Sequence, residues 1–174
     1  DDAEKQLVRA ACASAAVTHA HPLGQDGAVL VALTAAFASN DLSLQEISRR
    51  LRRHVRTVES QTKLAVVEGW LRTEDHPVAP RRAAAELGNG IKAADSCVTA
   101  VYIGLVLLNC SFSQLMQYIL QVGGDVDTIG SMAGAIWGAA GGRGRLPEKY
   151  LRQLEQRERI EQLATNFADY VAQR

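Results

Sequence analysis

Apolar positions recur along this chain every three or four residues almost from its start, the spacing of helices that bury one face. Glu4 to Ala16 is rich in Ala, Leu and Val, and Gly27 to Ala38 continues in the same manner after a break at His21-Pro22-Leu23-Gly24. The pattern predicts two helices with a turn at that break. Ser43 and Glu46 form an S-x-x-E capping box, and Leu44, Ile47, Leu51, Val55 and Val58 follow at helical spacing, predicting one helix or two joined near His54. Thr73 to Arg82 carries Pro77 and Pro80 among polar residues and is predicted to be a loop. A short helix over Arg82 to Leu87 closes at Gly88-Asn89-Gly90. Ala93 to Leu108 is apolar on every face, so it belongs at the centre, covered by other helices.

Ser111 with Gln114 makes a second capping box, starting a helix that runs to Val122 and ends at Gly123-Gly124. From Thr128 to Ala140 small residues dominate, which suits a helix closely surrounded by others. Leu151, Leu154, Ile160, Leu163, Ala164, Phe167 and Val171 form the last helical pattern, and no segment alternates as a strand would. The expected fold class is all-α, with no repeat and no clear domain boundary within residues 1–174.

Composition narrows the partners. At 174 residues and 47% hydrophobic, the chain can build a substantial core. Lys plus Arg and Asp plus Glu both total 19, so no overall field draws it to nucleic acid or to a membrane. Arg49, Arg50, Arg52, Arg53 and Arg56 cluster on one helix face; solvated surface is the expectation for them, a nucleic-acid or phosphate patch the alternative. Cys12, Cys97 and Cys110 form no CxxC pair and read as reduced thiols that pack. The longest apolar run, Val98 to Leu108, falls short of the roughly 20 residues a membrane span needs. The expectation is a soluble intracellular chain of the cytoplasm and nucleus, with the mitochondrial matrix as an alternative. Its first residue is Asp1 and not Met, read as a processed, cropped or incomplete start.

Candidate chemistry concentrates in Gly123-Gly124-Asp125-Val126-Asp127-Thr128. Two carboxylates and a hydroxyl lie within four residues, and the glycines allow a turn sharp enough to aim both acids at one spot. Hard divalent cations such as Mg²⁺ prefer such oxygen ligands, making Asp125, Asp127 and Thr128 candidate metal ligands. The plainer reading is that Asp125 or Asp127 caps the following helix.

Read at full length, GGDVDTIGSMAGAIWGAAGG resembles the C-terminal signature of the ADP-ribosylglycohydrolase family, GGDTDTIAxMAGAIxGA. Val17-Thr18-His19-Ala20-His21-Pro22-Leu23-Gly24 and Glu86-Leu87-Gly88-Asn89-Gly90-Ile91 point the same way and stand in the expected order. These two resemble the type-three branch, which hydrolyses serine-linked and polymeric ADP-ribose, and the fold the resemblance implies is a compact orthogonal helical bundle of which residues 1–174 are the C-terminal part. The resemblance runs from Val17 to Gly142, loosely between Ser39 and Arg82, and departs at Val126, where the family more often has Thr. It implies a Mg²⁺-dependent hydrolase with two ions in the complete site, of which Asp125, Asp127 and Thr128 would hold one side. It implies ADP-ribose or ADP-ribosylated protein as partner, a monomer when complete, and a place in the DNA damage response. His19 would contact ADP-ribose and Ile91 would line the adenosine pocket. Without the resemblance, His19 reads as a helix-end or packing histidine and Ile91 as a core residue. His19-x-His21 could also suggest a transition metal, but Pro22 points to turn chemistry instead.

The family's N-terminal section supplies a catalytic Glu, a Thr-Asp-Asp cluster and a phosphate loop, and no segment here matches them. Glu46, Glu59, Glu68, Glu74, Glu86 and Glu148 stand in other contexts, leaving the catalytic residue unknown and expected upstream of this chain. The reading is therefore the C-terminal part of such an enzyme, supplying half of its metal site and inactive or incomplete in isolation. A shortened, non-catalytic protein that binds ADP-ribose or a partner is the alternative, and a purely structural helical module is a third.

Overall fold

The computed structural model describes residues 2–40, 42–73 and 76–173; Asp1, Asp41, Glu74, Asp75 and Arg174 lie outside the described residues. Among the described residues the chain is all-α, with ten α-helices and no strand. They are α1 (Asp2–Ala16), α2 (Pro22–Ala38), α3 (Leu44–His54), α4 (Val58–Arg72), α5 (Pro80–Leu87), α6 (Ala93–Val106), α7 (Phe112–Val122), α8 (Val126–Gly141), α9 (Glu148–Leu151) and α10 (Arg157–Ala172). A 3₁₀ turn, Arg143–Arg145, follows α8. No described helix is long and apolar enough to cross a membrane.

Helix α6 is the axis. Every residue from Ser96 to Leu105 is buried, as its uniformly apolar sequence requires, and α2, α4, α5, α7 and α8 pack around it. Glycine allows the nearest approaches: a Cβ on Gly104 would lie 2.9 Å from Ile136 of α8, and one on Gly27 of α2 would lie 2.6 Å from Cys97 Sγ. Most of the polar groups inside are bonded, the buried Ser48 hydroxyl being an exception. Tyr102 accepts the Val78 N–H (2.7 Å), while Tyr118 of α7 donates to the Val78 carbonyl (2.7 Å). These two bonds fasten the proline-rich loop to the core. Trp70 of α4 meets Tyr102 edge to face at 5.0 Å.

Several boundaries differ from the sequence pattern. The stretch His21-Pro22-Leu23-Gly24 is not a turn but the start of α2: Pro22 takes the first position, where its missing N–H costs nothing, and His21 Nδ1 accepts the Leu23 N–H at 3.2 Å. Pro80 opens α5 in the same way, two residues before the pattern places it. Near His54 there are two helices. The last pattern is also two, because Gln156 turns left-handed (φ 52°) between α9 and α10. No residue of α10 is buried, and Leu163 and Phe167 stay exposed.

The Ser111–Gln114 box is complete. The Ser43 box is half made: Ser43 accepts the Glu46 N–H, but the Glu46 carboxylate turns to Arg49 and Arg50. Those ion pairs, together with Arg52 to Glu68 (2.7 Å), account for much of the arginine cluster as structural surface. Arg50 also reaches Glu4 of α1 at 3.1 Å, and His54 Nε2 lies 3.0 Å from the same carboxylate.

The junction between α3 and α4 is held from a distance. Asp26 of α2 is buried and accepts three bonds, from the N–H groups of Arg56 (3.1 Å) and Thr57 (2.8 Å) and from Thr57 Oγ1 (2.6 Å). Removing that acceptor strands partly buried donors, so Asp26→Ala should lower unfolding stability by about 2–3 kcal/mol, with Asp26→Asn costing less, by urea titration. Glu4 yields a pH signature. Its hydrogen bond with His54, then the attraction of Arg50, holds its carboxyl below the ordinary range. Because the folded value is the depressed one, the stability advantage over Glu4→Gln should be full above the ordinary carboxylate range. It should disappear as pH falls through the depressed value, read from urea midpoints in an acid series.

Candidate metal centre

Helix α7 ends at Val122, and the chain reverses through Gly123 (φ 70°) and Gly124 (φ 72°), a left-handed pair that side chains resist. Gly124 serves a second purpose. A Cβ there would lie 2.1 Å from the Asn89 carbonyl oxygen, because the Gly88–Gly90 turn presses directly on this corner. Asn89 uses the approach twice: its carbonyl accepts the Asp125 N–H (2.8 Å), and its side-chain amide donates to the Val122 carbonyl (2.8 Å). The end of α7 and the head of α8 are thus both tied to one residue.

The acids then diverge in role. Asp125 sits half-buried at the N-cap but makes no side-chain capping bond. Asp127 is exposed, and its carboxyl is held below the usual carboxylate range. The largest cause is its hydrogen bond with the Asp125 carboxyl, followed by bonds from the N–H groups of Asp127 and Thr128. The plainer, capping reading therefore fails for Asp125, and the two carboxyls lie together at the head of α8. Such a pair, with the exposed Thr128 hydroxyl in the same turn, offers only oxygen donors and fits a hard divalent cation. Among the described residues no cluster of three or more His, Cys, Asp or Glu accompanies it.

Ile91 is not a core residue: it is 88% exposed, in the link between α5 and α6 that also carries Asn89. The Asn89–Asp125 bond therefore places the Ile91 loop beside the acidic corner. His19 is exposed in the link between α1 and α2; its Nδ1 lies 2.8 Å from Thr18 Oγ1, and Gly24 packs on its Cβ. His21 is engaged in capping α2.

Gly27 of α2 lies against Cys97 of α6, whose Sγ is 3.6 Å from Met132 Sδ of α8, each within the first two turns of its helix. The N-terminal ends of these three helices hence lie toward one end of the bundle, with His19 ahead of α2, Ile91 ahead of α6 and the acids heading α8. Partial positive charge at helix N-termini suits that end to an anionic ligand. Of the glutamates considered in the sequence, Glu46, Glu68, Glu86 and Glu148 are paired with arginines, and Glu74 lies outside the described residues. Sequence reasoning quoted Asn89 inside a motif but missed its bracing role, which only the backbone approach at Gly124 discloses.

The chain matches the family model of ADP-ribosylglycohydrolase over residues 1–174, and it belongs to that family. It is 32% identical to ADP-ribosylhydrolase ARH3 of Bos taurus over 180 residues, covering 88% of this chain and 49% of that protein. The human ARH3 is likewise 32% identical, with 88% and 50% covered. An uncharacterised protein of Archaeoglobus fulgidus is 33% identical over 154 residues, with 88% and 48% covered. The chain thus spans about half the length of the curated relatives it matches, a share that fits a C-terminal part of the family domain.

The two glycines should respond differently to alanine. Gly123→Ala meets only left-handed strain, with its nearest neighbour 3.9 Å away, and should cost about 1 kcal/mol. Gly124→Ala must also displace Asn89 and should cost about 2–4 kcal/mol, both read from urea unfolding.

Proposed function

We propose that this chain supplies one wall of the site in an enzyme that hydrolyses ADP-ribose linkages, on serine in proteins and in poly(ADP-ribose). The observation that carries the reading is the Asn89–Asp125 bond, which joins the exposed Ile91 loop to the oxygen-rich corner of Asp125, Asp127 and Thr128. An apolar wall beside a cation-binding corner suits a ligand with an adenine at one end and vicinal ribose hydroxyls near the other.

In this reading Asp125, Asp127 and Thr128 ligate Mg²⁺, the complete site holding two ions. When bound, the metal supplies Lewis-acid polarisation and orients the ribose hydroxyls. Ile91 packs on the adenine and, by removing that apolar surface from water, contributes affinity. His19 offers a ring nitrogen to the ligand, and the helix N-termini at the same end favour the phosphates. The catalytic carboxylate comes from a segment outside residues 1–174, as do the remaining metal ligands. The assembled enzyme is a monomer of the cytoplasm and nucleus, with the mitochondrial matrix as the alternative, and it works in the DNA damage response.

Isothermal calorimetry and a release assay on a serine-ADP-ribosylated peptide test this together. The chain alone should bind Mg²⁺ weakly, in the ~0.1–1 mM range expected of a site with few ligands. Asp127→Asn should weaken that binding at least about tenfold. No ADP-ribose should be released until an upstream Thr-Asp-Asp segment is restored. Micromolar Mg²⁺ affinity or release by the chain alone would refute the half-site reading, and Mg²⁺ binding indifferent to Asp127 would refute the metal assignment.

A further inference from the structure

The turn that braces the acidic corner is itself held by an ion pair that lies in none of the motifs above. Lys63 projects from α4, and its ammonium pairs with the Asp95 carboxylate in the first turn of α6 while donating to the Leu87 carbonyl at 2.6 Å. Both side chains are largely buried, 16% and 22% exposed. Asp95 lies directly beneath the turn: a Cβ on Gly88 would come within 2.8 Å of its Oδ1, and one on Gly90 within 3.4 Å of its Oδ2. Thr99 of α6 donates to the Gly88 carbonyl at 2.6 Å. The peptide units just before Asn89 are thus held from below by α4 and α6, and Asn89 then reaches across to α7 and α8.

We infer that Lys63 and Asp95 are positioning residues: by clamping Leu87 and the Gly88–Gly90 turn they set Asn89, and through Asn89 the Asp125 ligand and the Ile91 wall together. The inference builds on the metal reading above, but its geometry stands without a metal. A buried pair bridging two helices is rigid because releasing either partner strands a charge in a poorly hydrated place. An apolar contact at the same point would leave the Leu87 carbonyl free to move. The device also makes the two halves of the wall interdependent, since a shift of Asn89 moves the apolar side and the acidic side at once.

Amide hydrogen exchange of the full chain, followed by NMR, tests this. The Asp125 N–H, protected by the Asn89 carbonyl, is compared in each sample with the Val101 N–H deep in α6. In Lys63→Met the Asp125 amide should exchange at least about tenfold faster relative to Val101, because local opening is uncoupled from global unfolding. Asp95→Asn should do the same in smaller measure. Lys63→Arg, which keeps a cation and donors, should restore the ratio to within about threefold of the wild type. A ratio unchanged in Lys63→Met, or equal acceleration at both amides, would overturn the positioning role and leave the pair a contributor to general stability. Mg²⁺-dependent shifts of the Asp127 and Thr128 amides in the unaltered chain are recorded separately; their absence would sink the metal assignment while the exchange ratio still decides the role of Lys63.

Discussion

A helix buried along all its faces has no solvent side to absorb error, and α6 imposes that condition on the whole bundle. Each neighbour must come close enough to leave no gap, and at two of its contacts that closeness depends on glycine, at Gly27 toward α2 and at Gly104 toward α8. Close packing on a common axis fixes the neighbours in rotation as well as distance. The heads of α2, α6 and α8 are brought to one end by this packing, and the residues of chemical interest stand just before those heads.

Much of the architecture was legible because helices announce themselves locally. The all-α class, the central place of α6, the Ser111–Gln114 box and the glycine reversal before the acids all follow from spacing and residue type. What spacing could not convey is contact between distant segments. Asp26 looks like any polar residue on an amphipathic helix, yet it caps a junction thirty residues on, across α3. Ile91 has a core residue's composition and an exposed position, since hydropathy reports what a side chain prefers and not whether anything is there to cover it. His21-Pro22 misled for a subtler reason: proline breaks helices from within but initiates them at the first position, and the sequence permits both.

The acidic corner shows how a short motif depends on residues outside it. Asp125 and Asp127 are two apart in sequence, but their mutual placement follows from the reversal at Gly123-Gly124, and the reversal is braced by Asn89. Family membership rests on likeness along the whole chain, whereas the bracing of these two acids is read from hydrogen bonds and close approach. The arginine-rich face of α3, which composition alone leaves open to a phosphate-binding role, resolves into ion pairs with Glu4, Glu46 and Glu68.

The near-contact between Gly124 and the Asn89 carbonyl bears on transplanting this corner into another protein. The six residues from Gly123 to Thr128 form a continuous peptide, but they do not constitute a portable unit. Half of what shapes them is a backbone oxygen from a turn more than thirty residues upstream. A designer who grafted the acidic peptide onto a helical host would import the carboxylates without their alignment. The smallest transferable piece is discontinuous: the turn through Asn89 and the reversal through Gly124, carried together at their native separation.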